Sequence, residues 1–118
     1  MRHAEDFQET KMTVPLLITT DWLAEHINDP HIRPADVRWY LLNPEQVRAE
    51  YAQGHIPGAI YFHIDRDLAE PPYAGPGRHP LPSAEKFAAA ASRAGISRET
   101  HVIAYDAQGG GTAARLWW

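Results

Sequence analysis

The stretch VIAYDAQGGGTAARLWW, from Val102 to Trp118, decides the fold. It starts as a β-rich apolar run, passes through a glycine-rich loop and ends in residues that favour a helix. A loop of this kind, between a strand and a helix, often presents backbone N–H groups or a nucleophile to an anionic substrate. The residue that leaves the strand is Asp106, so the sequence predicts an active-site-like loop without a nucleophile.

Strands and helices alternate through the rest of the chain. Four strands are predicted, at PLLIT (15–19), DVRWYLL (36–42), AIYFHI (59–64) and HVIAY (101–105). Helices are predicted after Thr20, Asn43 and Ser83 as N-caps, and from about Thr112. In the second helix Pro44 fits the first helical position, Gln46 completes a capping box and Gly54 ends the helix; Gly95 ends the third.

This alternation predicts an α/β domain with a mainly parallel sheet. Ligands of such sheets bind at the carboxyl ends of the strands. The third predicted strand ends at His63 and Asp65, before a long proline-rich loop, and the fourth ends at Asp106. The topology therefore predicts two walls of one site.

Composition limits the function classes. At 118 residues the chain has room for one domain, predicted at 15–118 after a flexible extension at 1–14. The net charge of −4 and the scattered basic residues argue against a nucleic-acid partner. No apolar run approaches the roughly 20 residues of a membrane span, and none suits a signal peptide, so we expect a cytoplasmic protein. The chain has no cysteine, which excludes a disulfide, a thiolate zinc site and a cysteine nucleophile in this chain.

Cofactor and metal sites are both disfavoured. Gly109 to Ala114 matches G-x-G-x-x-A, but the dinucleotide fingerprint belongs after the first strand and needs a later acidic residue. We therefore expect no cofactor. Five residues with side chains that could bind a metal lack the tight spacing of metal sites, and no metal is expected. They are His55, His63, Asp65, Asp67 and His79.

Asp65 and His79 form a candidate catalytic pair. A carboxylate can fix the tautomer of a histidine, which can then polarise a hydroxyl or thiol elsewhere. The serines fall in predicted caps and turns, so the pair is incomplete by itself. Arg115, on the last helix, could face an anion at the glycine loop; the alternatives are a structural ion pair and a surface position.

Three segments, in the same order, resemble the first domain of tandem rhodanese-type sulfurtransferases. They are EYAQGHIPGAIYFHID (50–65), GRHPLPSAEKFAAAASRAGIS (77–97) and HVIAYD with the final ARLWW (101–118). The resemblance implies a three-layer rhodanese-like domain with five parallel strands in the order 3-2-4-5-1. Because the sequence stops before a fifth strand, we expect an incomplete domain, a fragment of a longer protein.

The resemblance also implies a reaction. Relatives transfer sulfane sulfur from thiosulfate or 3-mercaptopyruvate, both small anions, through a cysteine persulfide in a second rhodanese domain. Asp106 matches the position of that cysteine, and Asp65 and His79 match supporting residues that reach toward the second domain. Substrate binding is assigned to Gly109, Gly110, Gly111 and Arg115. We therefore expect a sulfurtransferase part that is inactive alone; the alternative is a catalytically inactive rhodanese-like binding module.

Overall fold

The sheet has three parallel strands in the order β2-β1-β3. They are β1 (Ile32–Asp36), β2 (Ile60–Tyr61) and β3 (His101–Tyr105). In this computed structural model, which describes residues 13–71, 77 and 79–117, Ala35 pairs with Ile60 on one side and with Ala104 on the other. The predicted α/β class and parallel sheet are confirmed, and the third, second and fourth predicted strands are adjacent as expected.

Five helices accompany the sheet in the described residues. They are α1 (Thr20–His26), α2 (Gln46–Gln53), α3 (Ile64–Asp67), α4 (Ala84–Arg93) and α5 (Ala113–Trp117). The main core joins the sheet to α3 and α4 through small and large apolar side chains. Its buried members are Ala35, Val37, Phe62, Ile64, Leu68, Ala90 and Ala94. Alanines on β1 and α4 let the elements approach closely, while Phe62 fills the remaining volume.

The predicted strand at residues 15–19 is wrong. These residues form no strand, and Leu16 and Leu17 are 84% and 92% exposed. A strand needs a neighbour to accept and donate its backbone hydrogen bonds. None of the three strands in the described residues pairs with this segment. The extension predicted at 1–14 lies outside the described residues except for its last two.

The second strand is displaced from its prediction: β1 spans residues 32–36, not 36–42. Its ladder with β3 begins at Ile32, and the bond from Val37 N to Tyr105 O ends it. Pro34 has no backbone N–H to donate, yet it is tolerated in β1. The backbone groups of alternate residues bond to β3, so those of Pro34 are directed to the β2 side, and β2 pairs only with Ala35 and Asp36. The third predicted strand is shorter than expected, with two residues, because its partner β1 ends at Asp36, opposite Tyr61.

Helix ends were predicted with mixed success. Ser83 caps α4 by accepting from Lys86 N at 3.1 Å, and Gly95, with φ of +75°, follows that helix as expected. Gly54 caps the end of α2. The cap of α1 is Thr19, not Thr20.

The capping box predicted for α2 is wrong. The helix starts at Gln46, because a separate turn joins Asn43 O to Gln46 N ahead of it. The Gln46 side chain donates forward to Glu50 at 2.7 Å instead of back to a cap. Pro44 therefore lies in the turn and not in the helix.

Candidate functional site

Asp65 and His79 lie together, although 14 residues separate them along the chain. His79 Nε2 is 2.8 Å from Asp65 Oδ1. Both side chains are partly exposed, at 31% for His79 and 43% for Asp65. The pair therefore has the geometry of a carboxylate that fixes a histidine tautomer, and it remains accessible from outside.

Helix α3 positions Asp65 through two reciprocal caps. His63 Nδ1 accepts a hydrogen bond from Asp65 N at 3.1 Å, and Asp67 Oδ2 accepts from His63 N at 2.9 Å. Burial, and then the positive charge of Arg66, lowers the pKa of His63. The neutral ring can keep this cap because Nδ1 remains an acceptor, with its proton on Nε2.

Sequence reasoning missed Trp39, which holds the other side of the Asp65 carboxylate. Its indole Nε1 donates to Asp65 Oδ2 at 3.2 Å, and its ring meets His79 edge-on at 5.3 Å between centroids. Gln108 Nε2 donates to Trp39 O at 2.8 Å, which links the indole to the glycine loop. The sequence could have indicated Trp39, because its indole N–H is a hydrogen-bond donor near the carboxyl end of a strand. It was not noticed because Trp39 was assigned to the predicted strand at residues 36–42.

The glycine loop after β3 closes around the Asp106 carboxylate. Oδ1 accepts from Gln108 N and Gly110 N, both at 2.9 Å. Oδ2 accepts from Thr112 N at 2.8 Å and Ala113 N at 2.7 Å, and it shares the single proton of Thr112 Oγ1, 3.0 Å away, with Val37 O, which lies 2.7 Å from that hydroxyl. We call these five donors the cradle. It has the form of an anion-binding nest that is occupied by a carboxylate of its own chain.

Glycine makes this loop geometry possible. Gly109 and Gly110 have φ values of +68° and +96°, in the left-handed region that other residues reach only with strain. Gly110 N donates to the carboxylate, while Gly111 N donates to Gln108 O. Binding of a substrate by these three glycines stays a prediction.

The cradle lowers the pKa of Asp106. Burial is the largest single influence and acts in the opposite direction, because it disfavours the charged form. The hydrogen bonds from Ala113, Gln108 and Gly110, with the Thr112 hydroxyl, together outweigh it. The carboxylate is therefore ionised at neutral pH.

This pKa shift predicts an acid-sensitive loop. Since the folded pKa of Asp106 lies below its ordinary value of 3.8, the stability it contributes is fully present above that value. It is lost as the pH falls through the folded pKa. The free energy of unfolding is measured with urea at a series of pH values from 6 downward. Below about pH 4 that of wild type should fall more steeply than that of Asp106→Asn. Parallel curves for the two proteins would contradict the expectation.

Arg115 lies against backbone carbonyl groups. Its Nε donates to Leu68 O at 3.0 Å, and its Nη2 donates to His79 O. The guanidinium thus ties α5 to both ends of the loop that carries His79. Its assignment to substrate binding stays a prediction, and this structure shows a positioning contact for it.

A buried charge network beneath the site was also missed. Asp36 is fully buried, and Arg38 donates to both of its oxygens: Nε lies 3.1 Å from Oδ1 and 3.0 Å from Oδ2, and Nη2 lies 2.6 Å from Oδ2. Tyr105 donates its hydroxyl to the same oxygen at 3.1 Å and accepts from Ile56 N at 3.2 Å. Burial raises the pKa of Tyr105 to about 12. The network fastens the turn after α2 to the strand ends, where Arg38 also donates to Gly54 O.

Two features are absent from the described residues. Within them, no group of three or more histidine and acidic side chains is arranged to hold a metal ion. None of the helices described is long and apolar enough to cross a membrane.

Comparisons with known proteins identify relatives of this chain. Residues 19–118 match the family described as the Rhodanese-like domain. The chain is 40% identical over 111 residues to 3-mercaptopyruvate sulfurtransferase of Escherichia coli K12, which covers 91% of this chain and 38% of that protein. It is 39% identical over 110 residues to thiosulfate sulfurtransferase of Cricetulus griseus, with 86% and 35% covered.

Solved structures give the same result. The crystal structure of SseA from Escherichia coli, described as a 3-mercaptopyruvate sulfotransferase with the rhodanese fold, superposes with a TM-score of 0.74 at 39% identity. It covers 89% of this chain and 40% of that one. The 3-mercaptopyruvate sulfurtransferase from Leishmania major gives a TM-score of 0.77 at 28% identity, with 86% and 28% covered. The chain thus spans less than half the length of these relatives.

Proposed function

The chain belongs to the rhodanese-like family, and we propose that it is the part of a two-domain sulfurtransferase that supplies the Asp65–His79 pair. In this proposal a second rhodanese domain supplies the cysteine that carries sulfur. The donor is a small anion, thiosulfate or 3-mercaptopyruvate, and a thiophilic acceptor takes the sulfur. The proposed compartment is the cytoplasm, where the partner domain's thiol stays reduced.

The observation that carries this proposal is the occupied cradle. A persulfide requires a thiolate, and the chain has no cysteine. At the position that corresponds to the cysteine of the relatives' second domain, the Asp106 carboxylate of this chain accepts the hydrogen bonds of the cradle. An anionic donor would have to displace this negative charge. The loop is therefore assigned a structural role here, and the chemistry is assigned to Asp65 and His79.

The pair suits proton transfer with a group on another domain. With Nε2–H donating to Asp65, the His79 ring carries its acceptor lone pair on Nδ1. That nitrogen can take a proton from a serine or thiol brought against it. In the sulfur step, the partner's thiolate attacks the outer sulfur of thiosulfate, the S–S bond breaks, and sulfite leaves with the bonding electrons. The acceptor then takes the sulfur and restores the thiolate.

Complementation tests this proposal. The full chain is mixed with a separately produced cysteine-bearing rhodanese domain, and pyruvate release from 3-mercaptopyruvate is measured with a thiol acceptor. We expect no turnover from the chain alone and a gain when both are present. His79→Gln and Asp65→Asn should reduce that gain by about 100-fold, the scale of lost general acid–base catalysis.

His101→Gln is the matched control, because His101 is exposed at the opposite, amino end of β3. It should leave the gain unchanged. If His79→Gln and His101→Gln reduced the gain in pyruvate release equally, the Asp65–His79 pair would have no specific catalytic role. Turnover by the chain alone would contradict the whole proposal.

The second candidate is a catalytically inactive rhodanese-like binding module. The feature that favours it is the same self-occupied cradle, in which the chain's own carboxylate accepts the hydrogen bonds that a bound anion would otherwise take. It predicts that the chain binds the cysteine-bearing domain without changing its rate. The complementation assay therefore separates the two functions.

A further inference from the structure

A cavity of about 320 Å³ lies beside the edge strand β2, enclosed by α2, α3 and the end of α4. Helix α3 separates it from the proposed catalytic pair. Asp65 turns to His79, whereas the next two residues, Arg66 and Asp67, line the cavity. The volume is at the lower end of the range for small-molecule sites and exceeds what a single inorganic ion fills.

The cavity is positive in an otherwise acidic chain. Arg48, Arg66 and Arg93 line it together with Glu45 and Asp67, whereas the whole chain has a net charge of −4. The positive charge of Arg66 is one of the influences that lower the pKa of the neighbouring His63, after burial. A small anion would therefore be attracted to this cavity despite the charge of the chain.

Two of the three arginines, Arg48 and Arg66, are not held in close ion pairs by the residues that the structure describes, so their guanidinium groups can bind a ligand. Arg93 is 3.0 Å from Asp67, but the contact of Arg66 with Glu45 is 3.6 Å long and joins two exposed side chains. An exposed pair of this kind contributes little and is readily exchanged. Arg48 is exposed and makes no ion pair with any residue that the structure describes.

Two tyrosines supply an aromatic wall. The rings of Tyr51 and Tyr61 lie 5.9 Å apart at 46°, and both hydroxyl groups donate to backbone carbonyls, of Ala59 and Arg38. Burial raises the pKa of Tyr61 to about 12, so it adds no negative charge. The rings can therefore contact a planar group of a ligand while the arginines hold its charge.

We propose that this cavity binds a small phosphate monoester with a planar organic group. Guanidinium forks match phosphate oxygens in geometry and charge, and Arg48 and Arg66 supply two of them. The planar group lies against Tyr51 and Tyr61. This site is independent of the sulfur chemistry, so its test leaves the proposed function untouched.

The probe is phenyl phosphate, titrated into the isotope-labelled full chain and followed by amide NMR. We expect saturable shifts around Arg48, Tyr61 and His63, weakened by added NaCl because salt screens the charges. Inorganic phosphate should bind more weakly, since it lacks the ring, and phenol should not bind. Arg48→Gln should weaken phenyl phosphate binding about tenfold, as expected for a lost charge-assisted hydrogen bond.

Arg98→Gln is the control, because Arg98 is exposed in the turn between α4 and β3 and does not line the cavity. It should bind phenyl phosphate like wild type. Three results would overturn the site: no saturation, equal effects of the two substitutions, or shifts that map away from α2 and α3. Equal affinity for inorganic phosphate would refute the aromatic contact.

Discussion

Replacing Asp36 with alanine is expected to lower the free energy of unfolding by about 3 kcal/mol, a large part of a small domain's stability. Asp36 is completely buried and accepts from both Arg38 and Tyr105. Without it, the Arg38 side chain, which is only 17% exposed, and the part-buried hydroxyl of Tyr105 lose their charged acceptor. The turn that Arg38 and Tyr105 fasten through Gly54 and Ile56 should loosen as well.

Urea unfolding monitored by tryptophan fluorescence measures this effect. Glu99→Ala is the control, since Glu99 is exposed and its side chain makes no ion pair with a described residue, and it should change stability by less than about 0.5 kcal/mol. Arg38→Met should also be strongly destabilising, because it leaves a buried carboxylate without its cation. The double variant should cost less than the two single changes added together. Additive losses would mean that the two charges do not act as a pair.

The second large effect is expected from Asp106→Ala, which should cost about 2 kcal/mol of unfolding free energy. The substitution leaves five donors of the loop without their acceptor, although water can reach some of them because the loop is largely exposed. The vacated cradle should then bind an added anion. Sulfate or thiosulfate should therefore raise the melting temperature of Asp106→Ala more than that of wild type.

Asp106→Cys extends this prediction to the chemistry. It places a thiol among donors that favour its ionised form, so the pKa of the thiol should lie below its usual range.

The anion test of Asp106→Ala is measured by thermal unfolding at matched ionic strength. If the added anion raised the melting temperatures of wild type and Asp106→Ala equally, the carboxylate would not occupy an anion site.

Features that depend on residues close together in the sequence were predicted correctly. Ser83 caps α4 because its own hydroxyl reaches Lys86 N three residues on, and β3 is apolar from Val102 to Ala104. Asp65, with the loop that follows it, and Asp106 could be placed at one edge of the sheet because parallel strands end there together. These features need no knowledge of distant partners.

Features that depend on distant partners were predicted poorly. Strand propensity favoured residues 36–42, but the ladder with β3 decides where β1 lies. The hydrogen bond between Asp36 and Tyr105 joins residues 69 positions apart, and no spacing in the sequence predicts it. Trp39 was missed for the same reason, since its carboxylate partner is 26 positions away.

We propose that this chain carries no sulfane sulfur itself, because the Asp106 carboxylate occupies the cradle in place of a cysteine. The intact mass of the full chain, measured after incubation with thiosulfate or 3-mercaptopyruvate and removal of the excess, tests this. We expect an unchanged mass for wild type, and the added mass of one sulfur atom for Asp106→Cys. A sulfur atom retained by the wild-type chain, and released to cyanide as thiocyanate, would contradict it.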